Sequence, residues 1–141
     1  IIGIGSEENR LKALTENLEM KNVYFLGRKT RDQIVHELNK SNVFVLGTIY
    51  ETFGVVLIES ISMGVPVIVT DCGGSDEIMS REVGKVTKQN DEEDMYKSMI
   101  DIYNRYEQFM PHNLRNYSKS KFSEKKLSTR LIKHYKNILI N

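Results

Sequence analysis

The chain has 141 residues and a formal net charge of only +1. A chain of this length forms about one domain and can bury roughly two-thirds of the surface that its unfolded form exposes. The single cysteine, Cys72, excludes an intramolecular disulfide and suits a reducing compartment. Apolar runs stay well below the ~20 residues of a membrane-spanning helix. These features predict a cytoplasmic domain in which Cys72 is a small buried apolar residue.

Three short apolar runs occupy the first third of the chain, at 1–4, 23–27 and 43–47. Segments with helix start signals separate them, and this alternation predicts βαβ units and a parallel sheet with helices on both faces. Because "IIGIG" has the character of a strand already under way, and the first residue is not methionine, we expect the chain to be a piece of a larger protein.

Two helices are predicted between these runs. Ser6 is a candidate N-cap for the first helix, with Glu7 and Glu8 in its first turn. Thr30 and Gln33 have the spacing of a capping box for the second helix.

The central block supplies a further unit. We predict a helix from about Gly54 to Met63, a stop at Gly64, and a strand over 66–70. The segment 72–79, "CGGSDEIM", predicts a glycine turn followed by a short helix, and 84–86 predicts a last edge strand.

Helices dominate the rest of the chain. Asp91 is the expected cap of a helix of about fifteen residues whose apolar side carries Met95, Met99, Ile102 and Tyr106. Pro111 is expected to break the pattern. Ser123 then caps a final helix, along which apolar residues recur at Leu127, Leu131, Tyr135 and Ile138. The fold class is therefore α/β, a doubly wound parallel sheet with a helical C-terminal tail.

The tail is strongly basic. From His112 onward one acid, Glu124, faces eight cationic residues: Arg115, Lys119, Lys121, Lys125, Lys126, Arg130, Lys133 and Lys136. Two interpretations stay open. The charges form a solvated helix face, or they contact anionic lipid head groups at the inner face of the membrane.

Two loops, 48–54 and 71–75, follow predicted strands and should lie at the same edge of the sheet, where ligands bind in open parallel sheets. At the first loop, Gly54 carries no side chain that would keep a ligand from the backbone. The amides of Gly54, Val55 and Val56 should stand free at the positive end of a helix dipole, an arrangement that suits a phosphate or diphosphate.

Two carboxylates flank this helix start. Glu59 lies about one and a half turns beyond Gly54, where an acceptor-only group can bind both hydroxyls of a ribose. Glu51 precedes the helix, where a transferred group would lie. Simpler interpretations remain: Glu51 is a loop carboxylate stabilised by the helix N-terminus, and Glu59 faces solvent.

The residues that carry these features resemble a known family. "ETFGVVLIE" (51–59) is similar to the E-x7-E signature of glycosyltransferase family 4, the group 1 glycosyltransferases of the GT-B type. "MGVPVIVTDCGGSDEIM" (63–79) and "NVYFLGRKTRDQI" (22–34) resemble two further segments of that family. At 47–48 this chain has Gly-Thr where the family usually has Pro-Ser.

The resemblance implies a division of the chain. Residues 1–109 would form a Rossmann-like nucleotide-sugar-binding domain whose N-terminal part is missing, and 110–141 a helical tail that packs on it. In the whole enzyme two Rossmann-like domains would face each other across a cleft. The acceptor, a glycan or lipid-linked glycan, would bind to the missing N-terminal domain.

The resemblance also implies roles for individual residues. Glu59 would bind the ribose, and the amides that follow Phe53, at Gly54 to Val56, would contact the diphosphate. Glu51 would contact the donor sugar as the candidate catalytic residue. The backbone of Gly27, Arg28 and Lys29 would flank the base.

The implied reaction is the transfer of a hexosyl group, with retention of configuration, from a UDP- or GDP-sugar, without a metal or other cofactor. Because the family's diphosphate-gripping Arg and Lys normally precede a strand like "IIGIG", we expect the fragment alone to bind nucleotide weakly and to transfer no sugar. Two alternatives stay open: a nucleotide-sugar epimerase of GT-B architecture and a catalytically inactive nucleotide-sugar-binding module.

Other features predict no further site. His36, His112 and His134 are widely spaced and have no cysteine pair nearby, which argues against zinc. The aromatic and basic residues follow no nucleic-acid-binding module, so no nucleic-acid partner is expected.

Overall fold

A computed structural model of the chain describes residues 1–139. It divides into two compact units, Ile1–Glu37 and Leu38–Asn141. The predicted division into 1–109 and 110–141 stays a prediction. No helix within 1–139 is both long and apolar enough to cross a membrane.

In the first unit, the runs 1–4 and 23–27 lie side by side without forming regular strands. Three backbone hydrogen bonds join them, from the amino group of Ile1 to Tyr24 O at 2.7 Å, from Leu26 N to Ile1 O and from Gly3 N to Gly27 O, both at 2.9 Å. Gly3 (φ 125°) and Gly27 (φ 62°) have positive φ, which breaks the extended conformation that a ladder needs. The two strand predictions are therefore wrong as regular strands.

Helix α1 (Glu8–Asn17) begins one residue later than the predicted Ser6 cap would place it, with Glu7 at the N-cap position and no side-chain cap. The amide of Glu8 donates instead to the backbone oxygen of Gly5 at 3.2 Å. A main-chain carbonyl thus takes the place of the Ser6 hydroxyl.

Helix α2 (Arg31–Leu38) begins with the capping box that the sequence predicts. Thr30 N donates to Gln33 Oε1 at 2.9 Å, and Gln33 N donates to Thr30 Oγ1 at 3.4 Å. This reciprocal pair satisfies two of the amides that a helix start leaves without partners.

The second unit is built on a parallel sheet of three strands, β1 (Phe44–Leu46), β2 (Val67–Thr70) and β3 (Gly84–Thr87), in the order β1-β2-β3. Val45 pairs with Ile68, which pairs with Lys85. All four residues of the central strand are buried, as expected of a parallel strand covered on both sides. The predicted α/β class and the edge position of the last strand are confirmed.

Helix α3 (Val55–Met63) connects β1 to β2 and begins and ends at glycines with left-handed backbone, Gly54 (φ 78°) and Gly64 (φ 84°). These bounds confirm the prediction. The short helix predicted within 72–79 is wrong: the amides of Ile78 and Met79 both donate to Ser75 O, which closes a single turn. The chain must enter β3 only a few residues later, so no second turn fits.

Helix α4 (Glu92–Asn104) is capped as predicted, with Asp91 Oδ1 accepting from Asp94 N at 2.9 Å. Its core face consists of Met95, Ser98 and Ile102. Met99, expected on this face, is 42% exposed. Ser98 and Ile102 are buried and lie about one turn apart, whereas Met99 is rotated about 100° from Ser98 and lies at the margin of this face.

A 3-10 turn (Tyr106–Gln108) follows and contains Tyr106, which is exposed. Pro111 then begins a helix, α5 (Pro111–Phe122), where a break was predicted. Proline is favoured at the first helical position because its missing N–H would have no partner there. Leu114 and Ser118 on α5 are buried, and α5 packs against α3.

The last helix, α6 (Glu124–Leu139), starts directly after Ser123, as predicted, and contacts α5. None of its residues is buried. The hydrophobic core lies between the sheet and α3, α4 and α5, and Cys72 is buried in it, as predicted. Its buried members are Leu57, Ile61, Val67, Ile68, Val69, Cys72, Ile78, Val83, Ile102, Phe109 and Leu114.

Candidate functional site

The loops that follow β1 and β2 touch each other at the carboxyl edge of the sheet, as predicted. Glu51 N donates to Cys72 O at 3.5 Å. A β-carbon added to Gly74 would lie 2.1 Å from Glu51 O and 2.7 Å from the carbonyl carbon of Thr52. The approach is closer than any side chain allows, which explains the glycine at this position.

Thr70, the last residue of β2, fixes the start of the first loop. Its hydroxyl accepts a hydrogen bond from Thr48 N at 2.8 Å and donates to Thr48 O. The Thr48 hydroxyl in turn donates to Tyr50 O at 3.0 Å. The bonds from Thr70 tie the loop to the central strand at Thr48, three residues before Glu51.

Gln89 links the two loops from the end of β3. Its side-chain Nε2 donates to Ile49 O at 2.7 Å and to Asp71 O. Local sequence patterns did not identify Gln89 as a residue of the site. The available signal was its place just after β3, because the carboxyl ends of parallel strands meet at one edge of a sheet.

The Glu51 side chain turns back onto its own loop. Its Oε1 accepts hydrogen bonds from Thr52 N at 2.8 Å, Phe53 N at 3.3 Å and the Thr52 hydroxyl at 3.4 Å. The second oxygen, Oε2, takes no part in these three bonds. The backbone amide of Phe53, followed by that of Gly54, lowers the pKa of the Glu51 carboxyl, so this group is charged at neutral pH.

Gly54 has a reason of its own to be glycine. Its φ of 78° is a conformation that side chains rarely adopt, and a β-carbon would lie 2.9 Å from Leu57 Cδ1. Backbone conformation and packing on Leu57 therefore explain Gly54 without a ligand. The amide of Leu57 donates to Gly54 O at 2.9 Å. The amides of Gly54, Val55 and Val56 were predicted to stand free, and for Gly54 this is wrong, because its amide bonds the Glu51 carboxyl. The amides of Val55 and Val56 lie at the start of α3.

The remaining residues of the central block lie along the same helix. Glu59 is half-buried on α3, and its backbone oxygen accepts from the Ser62 hydroxyl at 2.7 Å. Phe53 is 40% exposed and Val55 58% exposed. The structure thus places Glu51, Phe53 to Val56 and Glu59 on one loop and one helix.

The residues expected at the base belong to the first unit. Gly27 has φ 62°, and its carbonyl oxygen accepts from Gly3 N. Arg28 is exposed and Lys29 half-buried. Because Glu51 and Glu59 belong to the other unit, the role of these three residues stays a prediction.

Two observations concern other candidate sites. Across residues 1–139, no cluster of three His, Cys, Asp or Glu side chains could hold a metal ion. That the reaction needs no metal remains a prediction.

A groove of about 740 Å³ is lined by Arg81, Arg105 and the polar face of α5. None of its lining residues belongs to the two loops, and it holds no predicted site residue.

The chain matches known proteins throughout. The model of the family "Glycosyl transferases group 1" matches residues 1–121. An uncharacterized glycosyltransferase of Methanocaldococcus jannaschii is 26% identical over 141 residues, which covers 98% of this chain and 40% of the relative. A GDP-mannose-dependent phosphatidylinositol monomannoside mannosyltransferase of Corynebacterium glutamicum is 28% identical over 109 residues, 72% of this chain and 28% of the relative.

Solved structures show the same fold. A glycosyltransferase of Rickettsia africae matches with a TM-score of 0.80 at 24% identity, over 99% of this chain and 39% of that protein. Anabaena HepE in complex with UDP-glucose matches with a TM-score of 0.78 at 18% identity, over 96% of this chain and 40% of that protein. The chain thus spans at most two fifths of the length of these proteins.

Proposed function

The chain belongs to the group 1 glycosyl transferase family, and from this premise we propose that it is the donor-binding part of a retaining glycosyltransferase. It would bind a nucleoside diphosphate sugar, from which a hexosyl group passes to a glycan or lipid-linked acceptor. One observation carries the proposal: the Glu51 loop and the Gly74 turn meet at the start of α3. The fold neighbours include complexes with UDP and UDP-glucose, which supports a nucleotide-sugar donor.

The start of α3 is the proposed diphosphate site. The amides of Val55 and Val56, at the positive end of the helix dipole, would donate to the phosphate oxygens. The amide of Gly54 would join them by exchanging its bond to the Glu51 carboxyl for one to phosphate. Phe53, which is partly exposed, would border the ligand. These amides would stabilise the charge that develops on the departing diphosphate, and they need no metal or other cofactor to do so.

The two carboxylates would bind the ends of the donor. Glu59 lies further along α3 and would accept hydrogen bonds from the two ribose hydroxyls. Glu51 would use Oε2 to contact the sugar while the loop holds Oε1. A retaining double displacement needs a partner carboxyl about 5 Å from the nucleophile across the reacting bond, and the sequence offers no obvious one. Glu51 would therefore orient the donor rather than attack it.

The rest of the donor and the acceptor involve other parts of the protein. Gly27, Arg28 and Lys29 would flank the nucleotide base. The chain spans at most two fifths of the length of the related proteins described above. The acceptor site and the remaining diphosphate contacts would therefore lie in the rest of a longer protein. The isolated chain is expected to bind nucleotide weakly and to transfer no sugar.

The distribution of residues on helix α6 supports contact between this protein and the cytoplasmic surface of the membrane. Its apolar residues, among them Leu131 (55% exposed) and Tyr135 (61% exposed), project from one face. The cationic residues lie on the opposite face: Lys125, Lys126, Arg130, Lys133 and Lys136. A helix with this distribution can lie in the interface of an anionic membrane, close to a lipid-linked acceptor.

Calorimetric titration of the chain with UDP, GDP and ADP, and then with the corresponding nucleotide sugars, tests the proposal. One nucleotide series should bind in the millimolar range, and Glu59→Gln should weaken that binding. Failure of all three series at millimolar concentration would overturn the proposal. Conversion of a bound nucleotide sugar into its epimer would indicate the epimerase alternative.

A further inference from the structure

We infer that Gln89 is a positioning residue of this site: its side-chain amide holds the Glu51 loop against the loop after β2 and thereby sets where Glu51 meets the donor sugar. The inference rests on the proposed function, because it takes Glu51 as the group that contacts the sugar. The sequence motifs do not include Gln89, which lies on the chain nearly forty residues after Glu51.

The side-chain amide of Gln89 donates one hydrogen bond to each of the two loops. A glutamine side chain carries two such donors on one nitrogen. One reaches Ile49 O at 2.7 Å and the other reaches Asp71 O. Ile49 stands two residues before Glu51 on the chain, so the first bond acts close to the carboxylate.

The backbone that carries Gln89 is itself held. Asp94 Oδ2 accepts from the Thr87 hydroxyl at 2.9 Å and from Lys88 N at 2.8 Å. On the other side, Thr87 O accepts from Asp71 N at 2.7 Å. Gln89 thus connects the well-held backbone at the end of β3 to the Glu51 loop.

The first part of the Glu51 loop, before Glu51 itself, has little side-chain packing. The side chains of Ile49 and Tyr50 are 72% and 77% exposed, so burial contributes little to their position. The bonds from Gln89 and Thr70 hold this part of the loop, while the contacts with Cys72 O and Gly74 hold the part from Glu51 onward. Loss of the Gln89 bonds should therefore let the loop move.

The consequence is selective for the sugar. Gln89 contacts the backbone at Ile49 and Asp71. Glu59 and two of the proposed diphosphate amides, those of Val55 and Val56, belong instead to α3, which has its own helical hydrogen bonds. A more mobile loop should therefore lower the affinity for the sugar part of the donor more than the affinity for the nucleotide. The measurable quantity is the affinity for UDP-glucose divided by the affinity for UDP.

The test compares Gln89→Leu, which keeps the volume and removes both donors, with the unaltered chain. The affinity ratio should fall about tenfold, as expected for two lost hydrogen bonds, while the affinity for UDP alone changes by less than about twofold. Gln89→Lys should restore the ratio, because its ammonium group also carries several donors. Gln108→Leu, on the 3-10 turn, is the matched control and should leave the ratio unchanged.

The outcomes separate this inference from the proposed function. If the unaltered chain binds no nucleotide or nucleotide sugar of the UDP, GDP and ADP series, the proposed function fails and the inference falls with it; if it binds the GDP or ADP series, the ratio is measured with that nucleotide and its sugar. If the unaltered chain binds but Gln89→Leu keeps the ratio, only the inference is overturned. Gln89→Met, which keeps the length of the side chain and removes the donors without adding a charge, gives the same reading should Gln89→Leu fold poorly.

Discussion

The carbonyl oxygen of Glu51 lies where a side chain at Gly74 would begin, 2.1 Å from the position of its β-carbon. All three atoms nearest to that position belong to the backbone of Glu51 and Thr52. Backbone atoms cannot turn away as a side chain does. The two loops of the candidate site therefore determine each other's position.

The first prediction is that Gly74→Ala destabilises the protein by about 1–3 kcal/mol, because the added methyl group forces the loops apart. Chemical denaturation in urea measures the change. Gly47→Ala is the control, since nothing lies within 4 Å of a β-carbon there, and it should change the free energy of unfolding by less than about 0.5 kcal/mol. Equal midpoints for the two variants would contradict the close approach.

The second prediction concerns the pH dependence that Glu51 contributes. Hydrogen bonds from the backbone amides of Phe53 and Gly54 lower the pKa of its carboxyl in the folded protein. A carboxyl with a lowered folded pKa stabilises the fold above its unfolded pKa, and this contribution is lost as the pH falls through the folded pKa. The unaltered protein should thus be more stable than Glu51→Gln at neutral pH, and the difference should shrink in acid.

Urea midpoints of both proteins across this pH range measure that difference, and other acids cancel because both proteins carry them. Glu77→Gln replaces an exposed carboxyl of the neighbouring turn and serves as the control for charge alone. A stability difference for Glu51→Gln that stays constant into acid would show that the hydrogen bonds to Oε1 do not stabilise the fold.

Local chemistry made much of this fold predictable. The Thr30 and Gln33 capping box, the Asp91 cap and the glycine bounds of α3 all depend on residues within a few positions of each other. The contact between the two loops was also predictable, because strand order alone brings carboxyl ends together.

Contacts between distant residues were not predictable from local patterns. The bond from Gln89 to Ile49 joins residues forty positions apart, and nothing near Gln89 in sequence distinguishes it from an ordinary loop glutamine. The helix start at Pro111 was not predictable for a related reason. Proline either ends a helix or begins one, and only the packing of α5 on α3 decides between them.

The third prediction tests the role of α5 in the core. Leu114 is 1% exposed and belongs to the main cluster, so Leu114→Ala should cost about 2–5 kcal/mol of stability. The matched change on α6, Leu131→Ala, removes a side chain that is 55% exposed and should cost under about 1 kcal/mol. Thermal unfolding of both variants decides, and similar losses would argue against this assignment of the core.

The fourth prediction concerns α6 and the membrane. Sedimentation with vesicles that contain phosphatidylserine should carry the chain down, whereas vesicles of phosphatidylcholine alone should not. Reversing the charge of Lys133 or Lys136 should weaken binding at least about fivefold per lysine. Lys97→Glu on α4 should have a smaller effect. Binding that does not depend on lipid charge would contradict the electrostatic contact. Absence of binding to either vesicle would instead favour a solvated basic face or cover by another part of a longer protein.

The fifth prediction assigns Glu59 to the ribose by comparing two nucleotides. If its carboxylate accepts from both ribose hydroxyls, the chain should bind UDP more tightly than 2′-deoxy-UDP, because the deoxy compound lacks one donor. Glu59→Gln should lower the affinity for UDP by about tenfold or more, since hydrogen bonds to a charged group contribute about 1.5–3 kcal/mol. The variant should also bind the two nucleotides with nearly equal affinity.

Glu59 lies half-buried on α3, so thermal unfolding of Glu59→Gln must accompany the titrations. Ser62→Ala, on the same helix, is the control: it removes a hydroxyl that donates to the Glu59 backbone but leaves the carboxylate in place. It should preserve the preference for UDP. If Glu59→Gln weakens both nucleotides equally, the carboxylate does not bind the 2′-hydroxyl, and the solvent-facing interpretation of Glu59 is the better one.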